Sequence, residues 1–207
     1  MARSSAQSQS SLAAAFIPDS GVARLLTYAL LAVAGSIVLW ISAKIQVPVW
    51  PVPVTLQTLA VAAIAAGFGA RLGVATVALY LLQGVAGMPV FAGAAAGPLY
   101  LMGPTGGFLL GHLPMALIIG LAADRGASRN FIALFGAMLI ADAVVFAFGY
   151  VWLIALSGQA GWIDQSNVLA SAFAKAIQPF IVWDILKMAL AALTVVGGWQ
   201  LSASRKG

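Results

Sequence analysis

The chain contains no cysteine, which excludes disulfides, thiolate metal sites and a cysteine nucleophile. It contains no glutamate either, so its five acidic residues are all aspartates. A single histidine, His112, rules out the paired-histidine spacing of zinc sites. No Gly-Lys dipeptide occurs, hence no phosphate-cradling Gly-x-x-x-x-Gly-Lys-[Ser/Thr] loop. Charge of either sign is scarce, at 7% of residues against about 25% in a soluble domain. Asp142 and Asp184 are the only candidates for paired-carboxylate chemistry, and their sequence contexts do not match. No enzymatic activity, metal or cofactor is expected.

What fills the chain is apolar. Hydrophobic residues make up 62% of the 207, a composition that takes lipid as its solvent. The sequence predicts an all-α integral membrane protein with six transmembrane helices, near 22–44, 54–69, 71–86, 105–123, 130–156 and 173–199. The second and third are short for a span of about 20 residues and meet at Gly67-Phe68-Gly69-Ala70-Arg71, which predicts a tight turn between two short helices. Residues 1–21 read as a flexible cytoplasmic tail, 22–200 as the membrane domain and 201–207 as a basic cytoplasmic tail. With the N-terminus inside, Arg3, Arg24, Arg71, Arg125, Arg129, Arg205 and Lys206 all fall in or beside cytoplasmic segments. Only Lys44 and Lys175 fall outside, so the positive-inside rule predicts N-in, C-in topology in the inner (cytoplasmic) membrane. The net charge of +5 is thereby a topology marker, and nucleic acid is not an expected partner.

The outer connections are unusual. The first, Gln46-Val47-Pro48-Val49-Trp50-Pro51-Val52-Pro53, is stiff and nearly devoid of polarity, because proline fixes φ and removes backbone donors. It suits a lid over something greasy, or an interfacial loop anchored by Trp50. The second runs from Gly84 through Pro89, Phe91, Gly93, Gly97 and Tyr100 to Pro104-Thr105-Gly106-Gly107. Irregular backbone at membrane depth persists only where protein buries it or where it lines a cavity. Backbone amides beside small side chains, as at Gly93–Gly97, admit a close anionic ligand, and Thr105 stands where a helix N-terminus favours one.

Within the last helix, Trp183-Asp184-Ile185-Leu186-Lys187 places an acid and a base on one face. Each charge costs roughly 2.5–3.5 kcal/mol at bilayer depth on insertion scales, so the pair is expected to serve as the polar floor of a small-molecule pocket. Locking two helices together is the alternative. His112 reads as an interhelical hydrogen-bond partner before a ligand contact, and Asp142 as a structural partner for Lys187 or His112 before a proton site. Gln57 and Gln83 point to the outer half, where an amide either binds ligand or satisfies loop carbonyls. The aromatics Trp40, Phe68, Phe108, Phe148 and Trp152 read as bundle packing and interface belt.

Four motifs in order, Pro51-Val52-Pro53-Val54-Thr55-Leu56-Gln57, Gly87-Met88-Pro89-Val90-Phe91, Gly103-Pro104-Thr105-Gly106-Gly107-Phe108 and Asp184-Ile185-Leu186-Lys187, resemble the BioY family over residues 24–200. The resemblance implies a biotin-specific S component of an energy-coupling-factor vitamin transporter, capturing biotin from outside beneath the proline-rich lid. It also implies a transmembrane T component and two cytoplasmic ABC-type ATPases as partners. Asp184 and Lys187 match the family's paired polar residues that contact biotin. Where relatives carry an Arg and an Asn this chain has Leu109 and Ala95, which leaves the ligand carboxylate to Lys187 and the Gly93–Gly97 amides. The resulting candidate substrate-binding residues are Asp184, Lys187, Gln57, Phe91, Gly93, Gly97 and Thr105. On helix one, Ala29, Ala32 and Ser36 form a small-xxx-small stripe of the kind that packs against partner helices. A stand-alone proton-coupled carrier of a small carboxylated vitamin is the alternative.

Overall fold

The computed structural model of the chain describes residues 17–18, 21–159 and 161–204. Arg3, Arg205, Lys206 and nearly all of the predicted N-terminal tail lie outside them. Eight α-helices are described: α1 Gly21–Lys44, α2 Gln57–Phe68, α3 Ala70–Val85, α4 Pro98–Met102, α5 Gly106–Asp124, α6 Phe131–Ala155, α7 Val168–Ala176 and α8 Ile181–Ser204. Among the described residues, four helical stretches are long and apolar enough to cross a membrane: Gly21–Lys44, Gly106–Asp124, Phe131–Ala155 and Val168–Ser202. The short pair, α2 and α3, have 12 and 16 residues and span about 18 and 24 Å at 1.5 Å per residue, less than a hydrocarbon core of about 30 Å.

Three predicted boundaries shift. Val54 and Thr55 are not helical but form β2 (Val54–Thr55), paired antiparallel with β1 (Gln46–Val47). The proline-rich segment is thus the loop of a small hairpin. The last predicted helix breaks into α7 and α8, because Pro179 carries no N–H and disfavours helical geometry in the residue before it. At the other end α8 runs on to Ser204, into the segment predicted as a tail.

Although these helices are apolar all round, tertiary packing sorts their faces. On α8, Asp184, Lys187, Met188, Ala191, Ala192 and Val195 turn inward at helical spacing. Trp183, Leu186, Leu190 and Leu193 are exposed on the opposite face, which suits lipid. On α6 the inward stripe is Leu134, Met138, Ala141, Asp142, Val145, Gly149 and Leu153. The short α2 sits centrally, against α3, α5 and α8. Backbones approach closely at Gly120 of α5, where a Cβ would overlap the backbone of Ala70 on α3. The turn at Gly69 has φ +80°, a conformation glycine adopts without strain, and the Ala70 N–H donates to Asp124 Oδ2 at 3.1 Å. On α1, Ala29 is exposed while Ser36 is buried, so the small-residue stripe is not one free face.

The ends of the bundle are chemically distinct. Ser128 donates to Ala66 O at 3.1 Å and the Arg129 guanidinium lies 4.8 Å from the Trp199 ring. With the Ala70–Asp124 hydrogen bond, these contacts bring the α2–α3 turn and the α5–α6 connection together, so Arg71, Arg125 and Arg129 share one end. Lys44 and Lys175 lie at the opposite end, with the hairpin and the glycine-rich connection.

Candidate functional site

A cavity opens at the hairpin end between α2, α5, α6 and α8. The space inside it, open mouth included, is about 530 Å³. Val52, Pro53, Val145, Phe108, Phe146 and Phe180 supply apolar wall. Phe180 stands 5.8 Å from Phe108 and 6.2 Å from Phe146, centroid to centroid. Phe108 therefore belongs to the cavity as well as to packing.

Polarity collects in one corner. Lys187 Nζ donates to Asp184 Oδ1 at 2.6 Å and to Thr58 Oγ1 at 3.3 Å. The Thr58 hydroxyl in turn donates to the same Asp184 oxygen at 2.6 Å. The i, i+3 spacing on α8 supplies the ion pair, and α2 brings the hydroxyl that ties it down. An ammonium has three donors, and the third N–H of Lys187 meets no acceptor among the described residues. Asp184 Oδ2 likewise accepts no hydrogen bond from them. The corner is both a packed pair and an open one, so the two sequence readings of the pair meet in one geometry.

Gln57 and Thr105 also line the cavity. The Gln57 amide is already engaged: Nε2 donates to the Tyr80 hydroxyl at 2.9 Å and Oε1 accepts from Thr55 Oγ1 at 3.2 Å. Tyr80 passes the chain on, donating to Val90 O at 3.0 Å. Gln57 thus supports Tyr80, whose hydroxyl satisfies the loop carbonyl, while itself facing the cavity.

Phe91, Gly93 and Gly97 do not line this cavity. The fully buried Phe91 ring packs over Gly84, edge-on to Tyr80 at 5.7 Å and stacked on Tyr100 at 5.1 Å. In the Gly93–Gly97 stretch, the Ala95 N–H donates to Ala92 O and the Gly97 N–H to Gly84 O, so those amides are spent inside the loop. The loop reaches the cavity through Ala92 and Tyr100 instead.

Two residues assigned elsewhere take different places. His112 lines the cavity, is buried, and makes no hydrogen bond among the described residues, so the interhelical role is not realised. Only its register in α5, one turn past Phe108 and Leu109, could have signalled this. Asp142 is buried in the middle of α6. Its Oδ1 has no hydrogen-bond partner among the described residues, so the expected pairing with Lys187 or His112 does not form. Thr58 was missed altogether, since a threonine beside Gln57 carries no signal until α8 packs on α2.

Apolar helices surrounding a small-molecule cavity with one charged corner define a multi-pass membrane protein of the ligand-binding kind. The profile of the BioY family matches residues 10–204. Among relatives, the chain is 33% identical over 153 residues to a probable biotin transporter BioY of Pyrococcus horikoshii, covering 74% of this chain and 84% of that one. It is 32% identical over 169 residues to the biotin transporter BioY of Thermotoga maritima, covering 80% and 91%. The crystal structure of an S component for biotin from an ECF-type ABC transporter has the same fold, with TM-score 0.74 and 21% identity over 87% of this chain and 95% of that one. The chain belongs to the BioY family.

Proposed function

We propose that this protein is a transporter subunit rather than an enzyme: the biotin-capturing S component of an energy-coupling-factor uptake system in the cytoplasmic membrane. The observation that carries this reading is the cavity itself, apolar along its walls and charged only at the Asp184–Lys187–Thr58 corner. Biotin has a matching character, an apolar thiophane ring and chain with a ureido group at one end and a carboxylate at the other. In this reading Lys187 meets the valerate carboxylate or, with Asp184, the ureido group, and Gln57, Thr105 and His112 complete the polar contacts. Phe91, Gly93 and Gly97 act one layer out, as supports of the outer loop. Val52 and Pro53 form the inner edge of a proline-rich lid, and the exposed Trp50 rests at the membrane interface.

The basic end gathered around Arg71, Arg125 and Arg129 supports an N-in, C-in orientation with the cavity facing outward. The short α2 and α3 then complete a six-helix membrane domain. Carrying no phosphate loop, the chain delivers biotin through a T component and two ABC-type ATPases. Isothermal titration of the detergent-purified protein tests the binding step. About one biotin per chain is expected, weaker desthiobiotin binding, and none of thiamine. A folded preparation with no saturable biotin binding overturns the proposal.

A further inference from the structure

Lys44 closes α1 at the outer end, and its surroundings are unusual for a lysine. Its Nζ lies 2.6 Å from each of three backbone carbonyls, those of Pro89, Phe91 and Gly93. No carboxylate among the described residues pairs with it. An ammonium has three donors, and three carbonyl oxygens lie within hydrogen-bond reach of this one, although the residue itself is exposed. The carbonyl between them, Val90 O, accepts from the Tyr80 hydroxyl instead. Gly93, at φ +65°, lets the chain curl so that its carbonyl reaches the same ammonium. The run from Pro89 to Gly93 is thus fastened by Lys44 of α1 and by Tyr80 of α3. Ala92, the residue of this run that lines the cavity, lies between two of the carbonyls that Lys44 holds.

We infer that Lys44 is a positioning residue that fixes residues 89–93 of the outer loop (86–97), and with them the cavity wall at Ala92, and so slows escape of the ligand. The inference rests on the reading of the cavity as the biotin site, and it assigns retention to a residue that does not touch biotin. Satisfying carbonyls alone would make Lys44 a folding residue. Holding the wall makes it a determinant of ligand escape, and the two differ in what they move. A folding defect lowers the fraction of binding-competent protein and leaves the dissociation rate of the remainder unchanged. A released wall raises the dissociation rate at full occupancy.

The absence of native cysteine makes the test selective. Lys44→Cys introduces a unique thiol, and alkylation with bromoethylamine converts it to a thioether analogue of lysine that restores the ammonium. Capping with iodoacetamide is the neutral control. Biotin dissociation and hydrogen exchange of residues 86–97 in ligand-free protein are measured on each form. The Cys form and the neutral adduct are expected to release biotin faster by roughly tenfold or more, with saturation stoichiometry unchanged. Exchange in 86–97 should be faster in both, and aminoethylation should return both readouts to the wild-type values. Should Lys44→Cys not fold, Lys44→Arg replaces it, because a planar guanidinium cannot aim three donors at three convergent carbonyls. An unchanged dissociation rate, or equal rescue by the neutral adduct, overturns the inference. If the wild-type protein binds no biotin, the reading of the site fails separately. Exchange in 86–97 then decides the clamp: acceleration reversed by aminoethylation supports it, and unchanged exchange overturns it.

Discussion

Lys187 is the residue on which the site turns, because it neutralises Asp184 and still keeps one donor free. Lys187→Ala strands a buried carboxylate with Thr58 as its remaining partner among the described residues, a loss of about 3–5 kcal/mol for a buried charged pair. Biotin affinity is expected to fall by at least about a hundredfold, and biotin amides tell the two roles apart: they lose much less if Lys187 meets the carboxylate and as much if it meets the ureido group. Titration of both ligands against one folded variant checks this. Normal binding of free biotin would reduce the pair to a structural lock. His112 offers the complementary case, a cavity residue with no hydrogen bond to lose among the described residues. His112→Leu should leave the thermal midpoint in detergent nearly unchanged while weakening biotin binding by roughly tenfold, the worth of one ligand hydrogen bond. Paired thermal and binding measurements decide it, and a large loss of stability with unchanged affinity would return His112 to packing.

At the scale of elements, small residues let neighbouring helices approach closely. The α3–α5 contact leaves no room for a side chain at Gly120, whereas a Cβ at Gly197 of α8 would meet nothing within 4 Å. Gly120→Ala is therefore expected to lower the thermal midpoint in detergent despite the better helix propensity of alanine. Gly197→Ala, which adds a methyl group in open space, should be neutral or stabilising by up to about 1 kcal/mol. Thermal unfolding of the two variants side by side tests whether close backbone approach, rather than propensity, governs this bundle. Equal midpoints would refute it.

For the whole molecule, the question is where the energy for uptake comes from. The chain has no phosphate loop, so concentrative uptake is expected only with a T component and ATPases present, and ATPase-dead partners should leave biotin binding intact while abolishing accumulation. The rival, a stand-alone proton-coupled carrier, draws on Asp184 or on Asp142, a buried acid whose Oδ1 has no partner among the described residues. Accumulation by the purified protein in liposomes, with and without a pH gradient, separates the two. No gradient-driven accumulation is expected. Biotin concentrated by a gradient alone would reassign Asp142 as the proton site.

The sequence by itself determined the solvent, the class and much of the plan. Scarce charge and long apolar runs require a membrane, glycine and proline mark the irregular connections at the hairpin end, and Asp184 with Lys187 on one face of α8 announces the polar corner. Those features are legible because they are local: composition, turn chemistry and i, i+3 spacing act within a few residues. What surrounds the corner was decided by tertiary packing. In α2 and α5, whose residues are apolar on nearly every side, no periodicity distinguishes the lipid face from the core face, so Thr58 and His112 enter the cavity only when α2, α5 and α8 come together. The same holds for Phe91, Gly93 and Gly97, whose motif marks the loop but not its orientation. Lys44 lies some 45 residues from the nearest of its carbonyl partners, and only the folded chain aims those carbonyls at its ammonium rather than at the cavity.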